Sequence, residues 1–195
     1  MKTETLKLIV NAFNTASRDE TRLNLCGVLL EKKDNGINIV GCDGHKLSVV
    51  NQIDDSLLEL IGDNKYFINR EDLKIIKLAI KAFGKLSDIP AKLVGETIVI
   101  GMESLSSFIV SLKTCKAQGI TYPDYNQVIP RNESSYSNRI SFNPEYLIEA
   151  YKAIKATDAR LDQVFLEINP GDKMAALIIK TSNKQGMAVL MPMRG

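Results

Sequence analysis

The sequence predicts an α+β fold assembled from three copies of one unit, a helix followed by a few short antiparallel strands. Three observations lead there. Apolar residues recur at helical spacing in three windows, near residues 4–17, 69–83 and 143–154. Each window is followed by short apolar runs broken by turn residues such as Asn35-Gly36 and Pro170-Gly171. The 195 residues are 45% hydrophobic and 25% charged, enough to build a core, yet no apolar run reaches the roughly 20 residues of a membrane helix.

The first copy opens with a predicted helix from Glu4 to Ser17. Leu6, Ile9, Val10, Phe13 and Ala16 gather on one face and Lys7, Asn11, Asn14 and Arg18 on the other. Strands are expected at 24–33, 37–44 and 45–52, with Asn35-Gly36 forming a hairpin turn. The second copy starts with a strand at 65–69. Asn69 is the expected helix cap, and Glu71 and Asp72 favour the positive end of the helix dipole. This helix is expected to run to Phe83, with Gly84 near its end, followed by strands at 91–96, 97–102 and 107–115. Pro123 and Pro130 then hold residues 122–130 as a loop.

The third copy begins with residues 138–142. Pro144 suits the first position of a helix whose apolar face is expected to be Leu147, Ile148, Tyr151 and Ile154. Strands at 164–168 and 175–181 and a last one running into residues 188–193 follow, with turns at Pro170-Gly171 and 183–186. One helix on three strands cannot bury its own apolar face, so copies have to pair. The polar stretch 132–138 is the expected boundary.

Catalytic chemistry finds little support. The one histidine, His45, sits in Asp43-Gly44-His45, where Asp-Gly signals a turn and sequence neighbours rarely face each other as an acid–base pair. Neither a phosphate-binding nor a dinucleotide-binding glycine pattern is present. Cys26, Cys42 and Cys115 are odd in number, widely spaced and without a CxxC pair, so reduced cysteines in a cytoplasmic protein are expected. The amino terminus lacks the layout of a signal peptide, because Glu4 and Lys7 interrupt its apolar stretch. The expectation is a protein that is not an enzyme, with no metal, no cofactor and no membrane partner.

With 25 basic against 23 acidic residues, the net charge of +2 does not by itself announce a nucleic-acid partner. Its arrangement is more informative. Lys74, Lys77, Lys81 and Lys85 fall on one stripe of the second helix, opposite Leu73, Ile76, Ile80 and Phe83. Such a stripe is either a solvated face or a row of point charges for phosphates, without means of reading bases. Lys7 and Arg18 repeat the tendency more weakly, and the third helix hardly shares it.

Three segments together resemble one family, the bacterial beta sliding clamp, the processivity ring of DNA polymerase III. Residues 18–31 (RDETRLNLCGVLLE) leading into 40–50 (VGCDGHKLSVV) are similar to a pattern of its middle domain. Residues 121–131 (TYPDYNQVIPR) are similar to the segment closing that domain, and 190–195 (LMPMRG) to the family's terminal Met-Pro-Met-Arg. The resemblance implies that residues 1–131 form a middle-domain-like unit and residues 134–195 half of a last-domain-like unit. The family's first domain and the first half of its last domain have no counterpart in the sequence.

The resemblance further implies a sliding-clamp fold with sheets outside and helices facing double-stranded DNA. Lys7, Arg18, Lys74, Lys77, Lys81 and Lys85 would then face the phosphates without sequence preference. It also implies a pocket for short peptides of the DNA polymerase and the clamp loader. One wall would be Leu25, Gly27, Cys42, Gly44, His45, Lys46 and Leu47, with Pro123 and Val128 from the loop. Val189, Met191, Pro192 and Met193 would come from the tail, whose methionines repack cheaply around varied partners. Cys42, Lys46, Gln127 and Gly195 depart from the family's usual residues. The expected function is that of a processivity factor in DNA replication. The alternative is a non-ring binding module that competes for clamp-binding peptides. A family ring holds twelve copies, so three per chain would require four chains, a homo-oligomer in which the orphan third copy is completed by a partner.

Overall fold

The computed structural model describes residues 1–34, 36–83, 85–101, 110–129, 140–155, 163–169, 176–182 and 186–193. Asn35, Gly84, Pro130, residues 107–109 and 132–138, Pro170-Gly171 and 183–185, which carry several expected turns and boundaries, lie outside them. The chain divides into two units, Met1–Ile129 and Pro130–Gly195.

The first unit is built on one antiparallel sheet. Its strands are β1 (Gly27–Lys33), β2 (Gly36–Cys42), β3 (Leu47–Gln52), β4 (Tyr66–Asn69), β5 (Ala91–Val94), β6 (Thr97–Ile100) and β7 (Val110–Thr114). They lie side by side in the order β3-β2-β1-β4-β7-β6-β5. Alternation decides which side chains meet which layer. Val28 and Leu30 join the main core with Leu6 and Ile9 of helix α1 (Thr3–Ala12) and Ile76 and Phe83 of helix α3 (Leu73–Phe83). Leu29 and Phe67 point to the opposite face, where residues 115–125 cover them and Tyr125 is buried.

Two equivalent seams join the helix-and-strand copies of this unit. The segment before each helix pairs with the strand after the other helix. Arg70 donates its amide to Cys26 O at 3.1 Å, continuing the β1–β4 ladder, and Thr3 donates to Ser87 O at 2.9 Å. The second seam continues with Ile89 donating to Met1 O at 2.8 Å, beside the Lys2–Asp88 bridge. Thr3 and Arg70 hold the same place in a repeated x-Glu-x-Leu stretch, Thr3-Glu4-Thr5-Leu6 and Arg70-Glu71-Asp72-Leu73. The two copies are therefore related by a local two-fold, and α1 contacts α3 across it.

Several boundaries differ from expectation. Helix α1 stops at Ala12 rather than Ser17. Asn14 and Thr15 donate to carbonyls three residues back, and the Thr15 hydroxyl returns to Ala12 O at 2.8 Å, tightening the end. The carbonyls of Phe13, Ala16 and Ser17 are instead collected by the Arg70 guanidinium, which also lies over the Phe13 ring. Helix α2 (Asp55–Ile61), unforeseen in the sequence, is capped by Asp54, whose carboxylate accepts from Leu57 N. Asn69 makes no side-chain cap; its amide turns to Gln118, and a 3-10 turn at Arg70–Asp72 intervenes before α3. Helix α3 ends at Phe83, which leaves Lys85 beyond the helix.

The second unit is one copy alone. Helix α4 (Pro144–Lys155) starts at Asn143, whose side chain accepts from Glu145 N at 2.9 Å. It packs on a three-stranded sheet, β8 (Val164–Glu167), β9 (Leu177–Thr181) and β10 (Met187–Leu190), in the order β10-β9-β8. Ile154 is buried against Leu177, Ile179 and Leu190, as its place on the apolar face requires. Leu147 and Ile148 depart from that expectation: they are 37% and 51% exposed, and among the described residues of the unit no second helix covers them.

Candidate functional site

The tail residues converge within the second unit. Strand β10 pairs with β9 through Leu190 opposite Leu177, which turns Leu190 into the core and Val189 outward. Met193 then donates its amide to Ser141 O at 2.7 Å, pinning the tail beside the segment that enters α4. A groove of about 550 Å³ results, lined by Val189, Leu190, Met191, Pro192 and Met193 on one side and Asn143, Tyr146, Glu149 and Ala150 of the α4 region on the other. All four tail residues expected at a peptide site line it. Met191 is 71% exposed and Met193 52%, so both thioethers are available to a ligand. Tyr146 and Glu149 were not foreseen there. Their helical spacing with Asn143 and Ala150 placed them on one side of α4, but the sequence alone gave no reason to join that side to the tail.

The remaining expected pocket residues belong to the first unit, and most of them form a second surface. Asp43 makes the turn at 43–46: its Oδ1 accepts from the amides of His45 and Lys46, both at 2.9 Å, while its other oxygen meets Lys46 Nζ at 3.3 Å. The His45 amide is the main reason its carboxyl is held at about 2, with Lys46 adding to the effect against a partial desolvation. Gly44 fits because the turn needs a backbone φ of +89°. Arg22 donates to Asp43 O at 3.2 Å and ties residues 19–26, including half-buried Leu25, to this turn. Leu47 and Tyr122 pack on the small outer core of Leu29, Val40 and Phe67. Burial pushes the Tyr122 phenol well above its ordinary value, and Cys42 lies within electrostatic reach of it. Cys42, Leu47 and the loop carrying exposed Pro123 are thus neighbours.

Two expected residues behave differently. Gly27 is buried on β1, and a Cβ there would meet Ile68 O at 2.3 Å and the Phe67 ring at 2.4 Å. It has no surface to offer a ligand; its smallness lets β1 and β4 close. Val128 is 67% exposed at the end of the 3-10 turn 125–127, and no described contact carries it to the Asp43 turn.

Lys74, Lys77 and Lys81 are all exposed on α3, while Ile76, Ala79 and Phe83 of the same helix are buried. Lys7 is exposed on the neighbouring helix α1, and Lys85 and Arg18 are exposed beyond the helix ends. Lys74 also borders a cleft of about 490 Å³ with Glu20, Leu23, Cys26 and Arg70, a lining absent from the sequence expectation. Among the described residues no cluster of His, Cys, Asp and Glu could hold a metal ion, and no helix is long and apolar enough to cross a membrane.

Comparison with known proteins gives this geometry a family context. No protein-family model matches the chain. The chain is similar to the beta sliding clamp of Rickettsia bellii strain RML369-C, with 28% identity over 164 residues, 78% of this chain and 40% of that protein. Among solved structures, it superposes on the Caulobacter crescentus DNA polymerase III beta subunit with a TM-score of 0.70 and 17% identity, covering 98% of this chain and 49% of that one. The Pseudomonas aeruginosa sliding clamp gives 0.69 and 17% over 100% of this chain and 51% of that one. The Thermotoga maritima beta subunit gives 0.62 and 19% over 97% and 47%. The fold is that of sliding clamps, an α+β arrangement of helices on antiparallel sheets, and the chain spans about half the length of these clamps or less.

Proposed function

We propose that this chain is a non-enzymatic, sliding-clamp-like module of DNA replication. It binds short apolar peptides of replication proteins and touches double-stranded DNA without reading its sequence. The observation that carries the reading is the tail groove, in which Val189, Met191 and Met193 lie exposed and Pro192 half-exposed beside α4. Peptide side chains would displace loosely held water from the methionine-lined surface, and the flexible thioethers would adapt to different sequences. Leu47, Cys42, Pro123 and the Asp43 turn, with Leu25, Gly44, His45 and Lys46, form a separate peptide-contacting surface of the first unit in this reading.

Lys74, Lys77 and Lys81 present ammonium groups on long flexible stems, suited to phosphates as point charges. A face of this kind binds loosely and with strong salt dependence, which movement along DNA requires. The chain would act in the cytoplasm, where DNA, polymerase and clamp loader meet. The test is titration of a fluorescently labelled clamp-binding peptide from a DNA polymerase. Micromolar binding that Met191→Ala weakens is expected; a parent protein that leaves the peptide unbound overturns the reading.

A further inference from the structure

We propose that the second unit is completed by a second copy of itself, through a two-fold interface that joins strand β8 of one chain to the segment before α4 of the other. The first unit supplies the template. There the pre-helix strand β4 is bonded on one side to β7 of its own copy and on the other to β1, the post-helix strand of its mate.

The second unit repeats one half of this pattern. Its pre-helix segment meets its own last strand through the Ser141–Met193 bridge, and among the described residues β8 pairs with β9 alone. Sequence repeats fix the register. Val28-Leu29-Leu30-Glu31 of β1 recurs as Val164-Phe165-Leu166-Glu167 of β8, and x-Glu-x-Leu recurs as Pro144-Glu145-Tyr146-Leu147. In the first unit Val28 lies opposite Ile68, Leu29 opposite Phe67 and Leu30 opposite Tyr66. The same spacing places Val164, Phe165 and Leu166 opposite Phe142, Ser141 and Ile140 of the other chain.

Burial differs between the paired copies of the first unit and the single copy described in the second. Leu30 is 0% exposed, Leu6 buried and Leu73 part-buried, whereas Leu166 and Leu147 at the same registers are 58% and 37% exposed. Leu166 lies opposite Ile179, which belongs to the core under α4, so Leu166 is on the helix-covered face. A helix from a second chain would cover it, as helices of both copies share one core with Leu30 in the first unit. Reciprocal pairing is what an isologous contact demands, because each chain offers one pre-helix segment and one β8. Covering these side chains removes apolar surface from water on both chains. The pairing also satisfies backbone groups that an edge strand leaves open.

The test is the mass of the full chain in solution by sedimentation equilibrium, together with cysteine cross-linking. Twice the chain mass at high micromolar concentration is expected, and a monomer throughout overturns the proposal. Leu147→Asp, whose side chain is already part-exposed in the single chain, should weaken the dimer at least tenfold. Its circular dichroism should stay that of the parent; an equally tight dimer overturns the proposal. Ser141→Cys with Phe165→Cys should give several-fold more covalent dimer on oxidation than Ser141→Cys with Glu167→Cys, two residues out of register, with the parent measuring background from its own cysteines. Equal yields overturn the register and with it the interface. None of these outcomes depends on peptide or DNA binding, so a monomer that still binds peptide would remove this interface and leave the functional reading standing.

Discussion

Tyr125 donates its phenol to Glu31 Oε1 at 2.5 Å, joining a loop residue to a strand residue 94 positions earlier. Asn38 donates to the same phenol at 2.9 Å, Asn51 donates to Asn38, and Lys65 Nζ reaches the second Glu31 oxygen at 2.8 Å. This network fastens residues 122–127, which carry Pro123, to the outer face of the sheet. Tyr125→Phe leaves the Asn38 amide and a Glu31 oxygen short of a partner. It is expected to cost about 1–3 kcal/mol in urea unfolding.

The same tyrosine has a signature in alkali. Burial, and then its bond to Glu31, push the phenol up to about 12 from 10.0. A raised folded pKa favours the neutral form in the native state. Its contribution is complete below pH 10 and is lost as pH rises through 10 towards 12. Unfolding free energies measured along this range should fall less steeply for Tyr125→Phe than for the parent.

Asp54 holds the entry of two helices with one buried side chain. Its Oδ2 accepts from Lys2 N and Thr5 Oγ1, both at 2.7 Å, and its Oδ1 from Ser56 Oγ and Leu57 N. Burial raises its pKa, but these donors, led by Thr5, outweigh burial and leave it lowered. The stabilisation is therefore present above the ordinary carboxylate value near 3.8 and lost as pH falls through the lowered one. Asp54→Ala should destabilise the first unit by roughly 3 kcal/mol in denaturant unfolding, because four donors lose their acceptor at once.

Peptide binding should separate groove residues from scaffold residues. Met191 is 71% exposed, so Met191→Ala should leave the thermal unfolding midpoint within about 1 °C of the parent. The same change should weaken a clamp-binding peptide several-fold, by about 1 kcal/mol. Gly27→Ala should do the reverse, since its Cβ would collide with Ile68 O and loosen the β1–β4 seam. Calorimetry and peptide titration on both variants distinguish the two behaviours.

What could be read beforehand follows the range of the forces involved. Strands and the three longer helices were legible because their apolar periodicity is local, as in Ile76, Ala79 and Phe83 of α3. Helix α2 was not, because seven residues make barely two turns and its cap, Asp54, draws its partners from residues 2 and 5. The collection of Phe13, Ala16 and Ser17 carbonyls by Arg70 spans more than fifty residues and leaves no periodic trace. At the site, Met191-Pro192-Met193 stood out as apolar residues in an unexpected place. Their facing partners Tyr146 and Glu149 depended on where the tail docks, which only the Met193–Ser141 contact reveals.

The basic face of α3 yields the last expectation. If Lys74, Lys77 and Lys81 each neutralise one phosphate, the logarithm of duplex affinity should fall with the logarithm of salt by about 0.9 for each contact. Lys77→Ala should therefore weaken binding to every duplex alike and reduce that slope by about one, since a point charge carries no base information. Lys113, exposed on β7 outside the α3 stripe, is the control whose replacement by alanine should leave the slope unchanged. Fluorescence anisotropy with two duplexes of unrelated sequence, over a series of salt concentrations, reads both quantities. A slope equal to the parent's in Lys77→Ala would show that the stripe is only a solvated helix face.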